Sequence, residues 1–146
     1  MNWQKVSIER LRDYETRKQA IENIPEQIET LELSFTAIRS ATSDATAVRG
    51  GGGNTREDAL INNIVMRDEL KRNLEIVKRE IRITEKGLEG LTAEQRNILD
   101  KFFIKRMRGH VEELSEELHI EKSRVYSLKD EALKKFTIAC YGVVEI

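Results

Sequence analysis

The sequence predicts an all-α protein: an N-terminal helical hairpin or bundle with one long helix, followed by a C-terminal helix-turn-helix. Three observations predict it. Apolar residues recur at gaps of three and four through most of the chain. Proline occurs once, at Pro25, and aromatics make up 5%, so breakers and strand-formers are both scarce. No stretch alternates with period two for long enough to build a sheet.

The chain has 146 residues, enough for one domain or one domain with a helical arm. Hydrophobic types make up 39%, which fills a small core and argues against wholesale disorder. With 25 Lys plus Arg against 26 Asp plus Glu, the net charge is -1. That excludes a uniformly basic coat for nucleic acid and leaves room for a local basic face. The single cysteine, Cys140, excludes an internal disulfide and a cysteine-based zinc knuckle. No run approaches the ~18 consecutive apolar residues of a membrane span, and the opening MNWQKVSIER carries charge where a signal peptide needs an apolar core. A soluble protein in a reducing cytoplasm is the expectation.

The elements follow in order. Trp3, Val6, Leu11 and Tyr14 keep a roughly helical spacing. Pro25 interrupts it, with Asn23 placed to cap a second helix that carries Ile28, Leu31, Phe35 and Ile38 on one face. Residues 40 to 56, SATSDATAVRGGGGNTR, are rich in Ser, Thr, Ala and Gly and predict a flexible loop. Thr55 with Asp58 approximates a capping box, and a long helix then runs to about Lys86. Leu70, Leu74, Val77, Ile81 and Leu88 hold a heptad-like register that also takes in Arg67 and Thr84. That seam either packs back on the N-terminal helices or pairs with a second subunit. Gly87 and Gly90 puncture the pattern within EKGLEGLT, residues 85 to 92. The chain thus divides into residues 1–88, a helical bundle or coiled-coil region with the loop at 40–56, and 89–146, a helix-turn-helix domain.

From Leu91 onward the pattern is specific. Thr92 and Gln95 form a capping box, and the helix they start turns Ile98, Leu99, Phe102 and Phe103 inward. Arg108 and Gly109 end it. A short helix over 110 to 120 has Val111, Leu114 and Leu118 as its apolar face, with Ser115 small enough for close approach. His119 stands at the turn, where a left-handed backbone is expected. A third helix runs from Glu121 or Lys122 to Phe136 with Val125, Leu128, Ala132 and Leu133 inward. Its outward residues are Lys122, Ser123, Arg124, Tyr126, Ser127 and Lys129. The apolar tail TIACYGVVEI either continues this helix onto the core or forms a dimer contact.

A short helix, a tight turn and a longer helix with a polar, cationic flank suit the major groove of double-stranded DNA. Arg124 has the fork for a bidentate contact to guanine, and Ser123 and Ser127 are short, adaptable partners. Tyr126 either stacks on the nucleic acid or covers the turn. Lys101, Lys105, Arg106 and Arg108, on the preceding helix and its exit, are candidates for phosphate contacts. Residues 91–146 hold ten Lys plus Arg and ten Asp plus Glu, so their net charge is zero. Glu112, Glu113, Glu116, Glu117 and Glu121 cluster on the short helix and turn, and segregation of charge therefore makes the local potential.

LTAEQRNILDKFF followed by VEELSEELHIEKSRVYSLKDEALKKF resembles region 4 of bacterial sigma factors of the sigma-70 class. It is similar as well to the helix-turn-helix of phage late transcriptional regulators of the ArpU/RinA type. The shared skeleton reads here as Val111, Glu112, Glu113, Leu114, Ser115, Glu116, Glu117, Leu118, then Ile120, Arg124, Val125, Leu128, then Ala132, Leu133, Lys134, Lys135. The resemblance covers residues 91 to 136 and implies base-contacting positions at Lys122, Ser123, Arg124, Tyr126 and Ser127. It departs from the pattern at His119, in place of a turn glycine, at Glu121, in place of a Ser or Thr cap, and at Asp130 and Glu131, where basic residues are common. The upstream helices do not resemble sigma region 2, which points to the phage regulators in preference to a complete sigma factor.

Other chemistry finds little support. RGGGG at 49 to 53 lacks the Gly-Lys-Ser/Thr ending of a phosphate loop. His110, His119 and Cys140 are too few for a structural metal site, and no nucleophilic triad is possible with two histidines that flank one short helix. No enzyme activity, cofactor or metal is expected. The expected function is a phage- or prophage-type regulator that binds promoter DNA, its N-terminal helices supplying homo-oligomerisation or a contact to RNA polymerase. A small terminase subunit and a helical interaction module without DNA binding are the alternatives.

Overall fold

The computed structural model describes residues 1–44 and 52–145, with side chains at 1–41 and 55–145. The protein is all-α. Helices α1 (Trp3–Asp44), α2 (Gly52–Glu89), α3 (Ala93–Leu99), α4 (His110–Leu118) and α5 (Lys122–Tyr141) are joined by a π-helical turn at Asp100–Ile104. The one bridge of strand type among the described residues is antiparallel, Asn2 to Glu145.

Three sequence expectations are corrected here. Pro25 lies inside α1 and does not divide it. Its ring fixes a φ that is already helical, so the helix forfeits one backbone bond and resumes. The loop expected over 40–56 is helical at both ends, because α1 persists to Asp44 and α2 starts at Gly52; residues 45–51 lie outside the described residues. Thr55 accordingly sits within α2 instead of capping it. Gly87 does not end α2 either. A Cβ there would stand 2.7 Å from Cys140 Sγ and 2.7 Å from Phe136 Cε2. The missing side chain lets α2 and α5 approach closely, and the real break comes at Gly90 and Leu91.

The chain forms two compact units, Met1–Lys18 with Arg79–Ile146, and Gln19–Lys78. The boundary expected at residue 88 falls within the first of these, since Leu88 packs on a core that draws from both sides of it. That core comprises Leu11, Leu91, Leu99, Ala132, Leu133 and Phe136, with Ile8, Leu88, Phe103, Ile104 and Cys140 against it. A second core lies under the C-terminal helices: Ile98, Phe102, Val111, Leu114 and Val125, flanked by Leu118, Ile120 and Leu128.

Polar contacts join the beginning of α1 to the end of α5. Arg10, 9% exposed, pairs with Glu80 at 2.5 Å, and its Nε donates to the Tyr141 hydroxyl at 2.6 Å. Its Nη1 donates to the Glu80 carbonyl at 2.8 Å. Burial opposes the charge on Arg10, yet the Tyr141 hydroxyl and the Glu80 carboxylate hold its pKa above the ordinary value. Trp3 stacks on Tyr141 with ring centres 4.9 Å apart, and Trp3 N–H donates to the Val144 carbonyl at 3.0 Å. The apolar tail therefore continues the last helix and docks. Burial also pushes the Cys140 thiol up to about 11.

In the unit Gln19–Lys78, α1 and α2 lie side by side. Ile24 and Asn63 are its buried residues, and Asn63 Nδ2 donates to the Leu31 carbonyl at 2.8 Å. Arg67 lies over the Phe35 ring at 4.9 Å. Leu70, Leu74 and Val77 are half-buried, as a two-helix pair leaves its seam covered from one side only.

Candidate nucleic-acid interface

The capping box that starts α3 is complete. Gln95 N–H donates to Thr92 Oγ1 at 3.1 Å, and Thr92 N–H donates to Gln95 Oε1 at 3.0 Å. Ile98, Leu99 and Phe102 then turn into the cores. The π-helical turn closes with Lys105 N–H donating to the Asp100 carbonyl at 2.7 Å. Gly109 takes a left-handed φ of 76° at the start of α4.

The turn from α4 to α5 is tightly held. His119 adopts φ 56°, ψ 45°, the left-handed conformation expected of it. Its N–H and that of Ile120 both donate to the Ser115 carbonyl, and Ser115 Oγ donates to the Ile120 carbonyl at 2.5 Å. Ser115 is thus a hydrogen-bonding member of the turn as well as a small one. Glu121 is extended at the start of α5 and makes no side-chain cap, in keeping with the weakness of Glu at that position.

Val125, Ala132, Leu133 and Phe136 bury one side of α5. Lys122, Ser123, Arg124, Tyr126 and Ser127 all lie exposed on its other side, over the first two turns. Tyr126, 49% exposed, meets Phe102 edge-on at 5.9 Å, so its ring rests on the core edge. Lys129 departs from the group. Its side chain is 22% exposed, its Nζ sits 5.8 Å from the Phe102 ring centre, and it pairs with Asp130 at 2.7 Å. The helical period carries it round towards the core edge.

The basic residues before α4 are dispersed. Arg106 and Arg108 line one surface depression with Met107, Gly109 and His110. Lys105 lines a different one with Tyr14, Lys18 and Arg96. All three are exposed, and none forms an ion pair among the described residues. Lys101 is committed elsewhere: it bridges Glu113 at 3.1 Å and Glu117 at 2.7 Å on α4. The hydrogen bond to Glu117 raises the Lys101 pKa and lowers that of Glu117 in turn.

The exposed cations of α5 meet carboxylates of α4 and of α5 itself. Lys122 pairs with Glu112 at 3.3 Å and Arg124 with Glu131 at 3.6 Å, while Arg124 Nη1 also donates to Ser127 Oγ at 3.3 Å. Glu112 is held below its ordinary pKa by its own backbone N–H and by Lys122. The pairings of Lys101 and of the α5 cations are features that sequence reasoning missed; only the excess of Glu on the short helix hinted at them. Among the described residues no group of three or more His, Cys, Asp and Glu is placed to hold a metal ion. No helix among them is long and apolar enough to cross a membrane.

These features define a small all-α protein with a helix, a left-handed turn and a second helix that presents a polar, cationic flank. Residues 37–137 match the model of a family described as protein of unknown function (DUF1492), and the chain belongs to that family. No curated protein and no solved structure matches the chain.

Proposed function

We propose that this protein is a sequence-specific DNA-binding transcriptional regulator of phage or prophage type, working in the cytoplasm on promoter DNA. One observation carries the reading: Lys122, Ser123, Arg124, Tyr126 and Ser127 share an exposed flank of α5, directly after a tight turn, with Val125 anchored beneath them. A helix so presented enters the major groove by its N-terminal half. Arg124 reads guanine, Lys122 and the serines supply further polar contacts, and Arg106 and Arg108 meet phosphates. The resemblance of residues 91 to 136 to sigma region 4 and to the phage late regulators supports the same role, with RNA polymerase as a further partner.

Binding to promoter fragments, read by fluorescence anisotropy at two salt concentrations, tests this. Affinity falls as salt rises because phosphate counterions are released. Arg124→Ala costs about 1–3 kcal/mol and blunts preference at one base pair. Unchanged affinity in the double variant Lys122→Ala, Arg124→Ala refutes the reading.

A second reading, a helical protein-interaction module, draws on the carboxylates that already occupy Lys122, Arg124 and Lys129. Absence of any DNA binding at low salt selects it.

A further inference from the structure

The side chain of Glu121 has no partner among the described residues. It stands directly before α5, where Ser, Thr, Asn or Asp would cap the helix. Its backbone takes the extended conformation of a cap, φ −70° and ψ 154°, and its carbonyl accepts from Arg124 N–H at 3.0 Å. Its carboxylate nonetheless makes no cap hydrogen bond. The residue is exposed and joins no ion pair. The nearest cations are already engaged, Lys122 by Glu112 at 3.3 Å and Arg124 by Glu131 at 3.6 Å. Glu121 and Arg124 are three residues apart, so they share one side of the helix start. They line the same surface depression, together with Glu116 and His119. A carboxylate in this place leaves α5 uncapped and repels phosphates. A DNA-reading helix gains from such a charge only where the groove offers it a donor.

We propose that Glu121 reads cytosine: its carboxylate accepts a hydrogen bond from the N4 amino group, close to the guanine that Arg124 contacts. The inference rests on the DNA-binding reading of the α5 flank and names one element of its target. The donor and acceptor code of the major groove selects the base. Guanine shows two acceptors there, and thymine an acceptor and a methyl group, so neither suits a carboxylate. Adenine sets its N7 acceptor beside the N6 amino group, which opposes the second carboxylate oxygen. Cytosine presents the amino donor with no acceptor of its own beside it. The beginning of the second helix is the part that meets base edges. Three residues of helix rise about 4.5 Å, against about 3.4 Å for a base step. Glu121 and Arg124 therefore meet base pairs that are adjacent or one apart. Phosphates carry no donor for Glu121, so the residue adds selectivity while it subtracts general affinity.

Selection of bound duplexes from a random DNA pool by the full chain tests this, with affinities of the enriched duplex then read by fluorescence anisotropy. The wild type is expected to enrich a guanine that Arg124→Ala no longer selects, and a cytosine at a separate base pair within two positions of it. Changing that cytosine should lower affinity about tenfold. Glu121→Gln should move the preference at that position to adenine, because a carboxamide pairs with N6 and N7 together. Glu121→Ser should lose the preference, keep the guanine and bind the random pool more tightly than the wild type. It should also unfold at a higher temperature, because Ser caps α5. A wild type that enriches the guanine without the cytosine overturns the inference and leaves the DNA-binding reading standing, as does a cytosine preference that survives both Glu121 variants. A wild type that enriches no sequence overturns the two together.

Discussion

Gly87 offers a sharp test of how α2 meets α5. Replacing it with Ala has two opposed effects. A glycine inside a helix costs about 1 kcal/mol relative to Ala, so propensity alone favours the substitution. Sterics oppose it, since the new Cβ would lie 2.7 Å from Cys140 Sγ, 2.7 Å from Phe136 Cε2 and 3.0 Å from Phe136 Cδ2. Cys140 is half-buried and has some freedom to turn, but Phe136 is fully buried among Leu11, Leu99 and Leu133 and has none. Overpacking of this kind costs about 1–3 kcal/mol. The steric term wins, and Gly87→Ala should lose about 1 kcal/mol net, or ~2–4 °C in Tm for a chain of this size. Gly90→Ala is the internal control. Its Cβ meets nothing nearer than the Gly87 carbonyl at 3.9 Å, so it should be neutral or gain about 0.4–1 kcal/mol from the stiffer unfolded chain. Urea unfolding followed by circular dichroism, with the slope checked for constancy, measures both. A Gly87→Ala variant as stable as the wild type would refute the close approach of the two helices.

Three further outcomes follow from the same structure. Because His119 is left-handed, His119→Val should cost about 1–2 kcal/mol, while His119→Gly should match or slightly exceed the wild type in thermal unfolding. Arg10→Met strands the Tyr141 hydroxyl and the Glu80 carboxylate; Glu80 reaches water in part, so a loss of about 3 kcal/mol is expected in urea unfolding. The third concerns pH. The depressed carboxyl of Glu117 binds fewer protons folded than unfolded, so its contribution is present above the ordinary value of 4.5 and fades as pH falls through the lower folded value. In that window Lys101→Met, which removes the partner, should flatten the pH dependence of Tm, and an unchanged slope would discount the bridge.

The legibility of this chain depended on how far apart the interacting residues lie. The Thr92–Gln95 cap, the left-handed His119 and the inward faces of α3 to α5 are local facts, set by spacings of three and four, and each stands in the structure as read from sequence. The exposed placement of Lys122, Ser123, Arg124, Tyr126 and Ser127 follows from the same period. The same period carries Lys129, four residues after the buried Val125, away from that flank to the core edge, where Phe102 meets it. Residue type alone predicts breaks at Pro25 and Gly87. In fact one loses a single backbone bond and the other makes room for Phe136 and Cys140, on a helix that begins beyond two intervening ones. Arg10 gave no signal, since its partner Tyr141 stands 131 positions along the chain. The π-helical turn at Asp100–Ile104 is likewise silent in composition.

The link between Trp3, Arg10 and the segment from Tyr141 to Val144 has a bearing on biosynthesis. A ribosome releases the first helix long before the residues that clasp it exist, so that helix waits, incompletely buried, until Tyr141 to Val144 have been made. Folding of this unit is therefore governed by a late, long-range closure, the kind of step that slows folding. Removal of Tyr141 to Val144 would loosen the start of α1, and removal of Trp3 would loosen the end of α5.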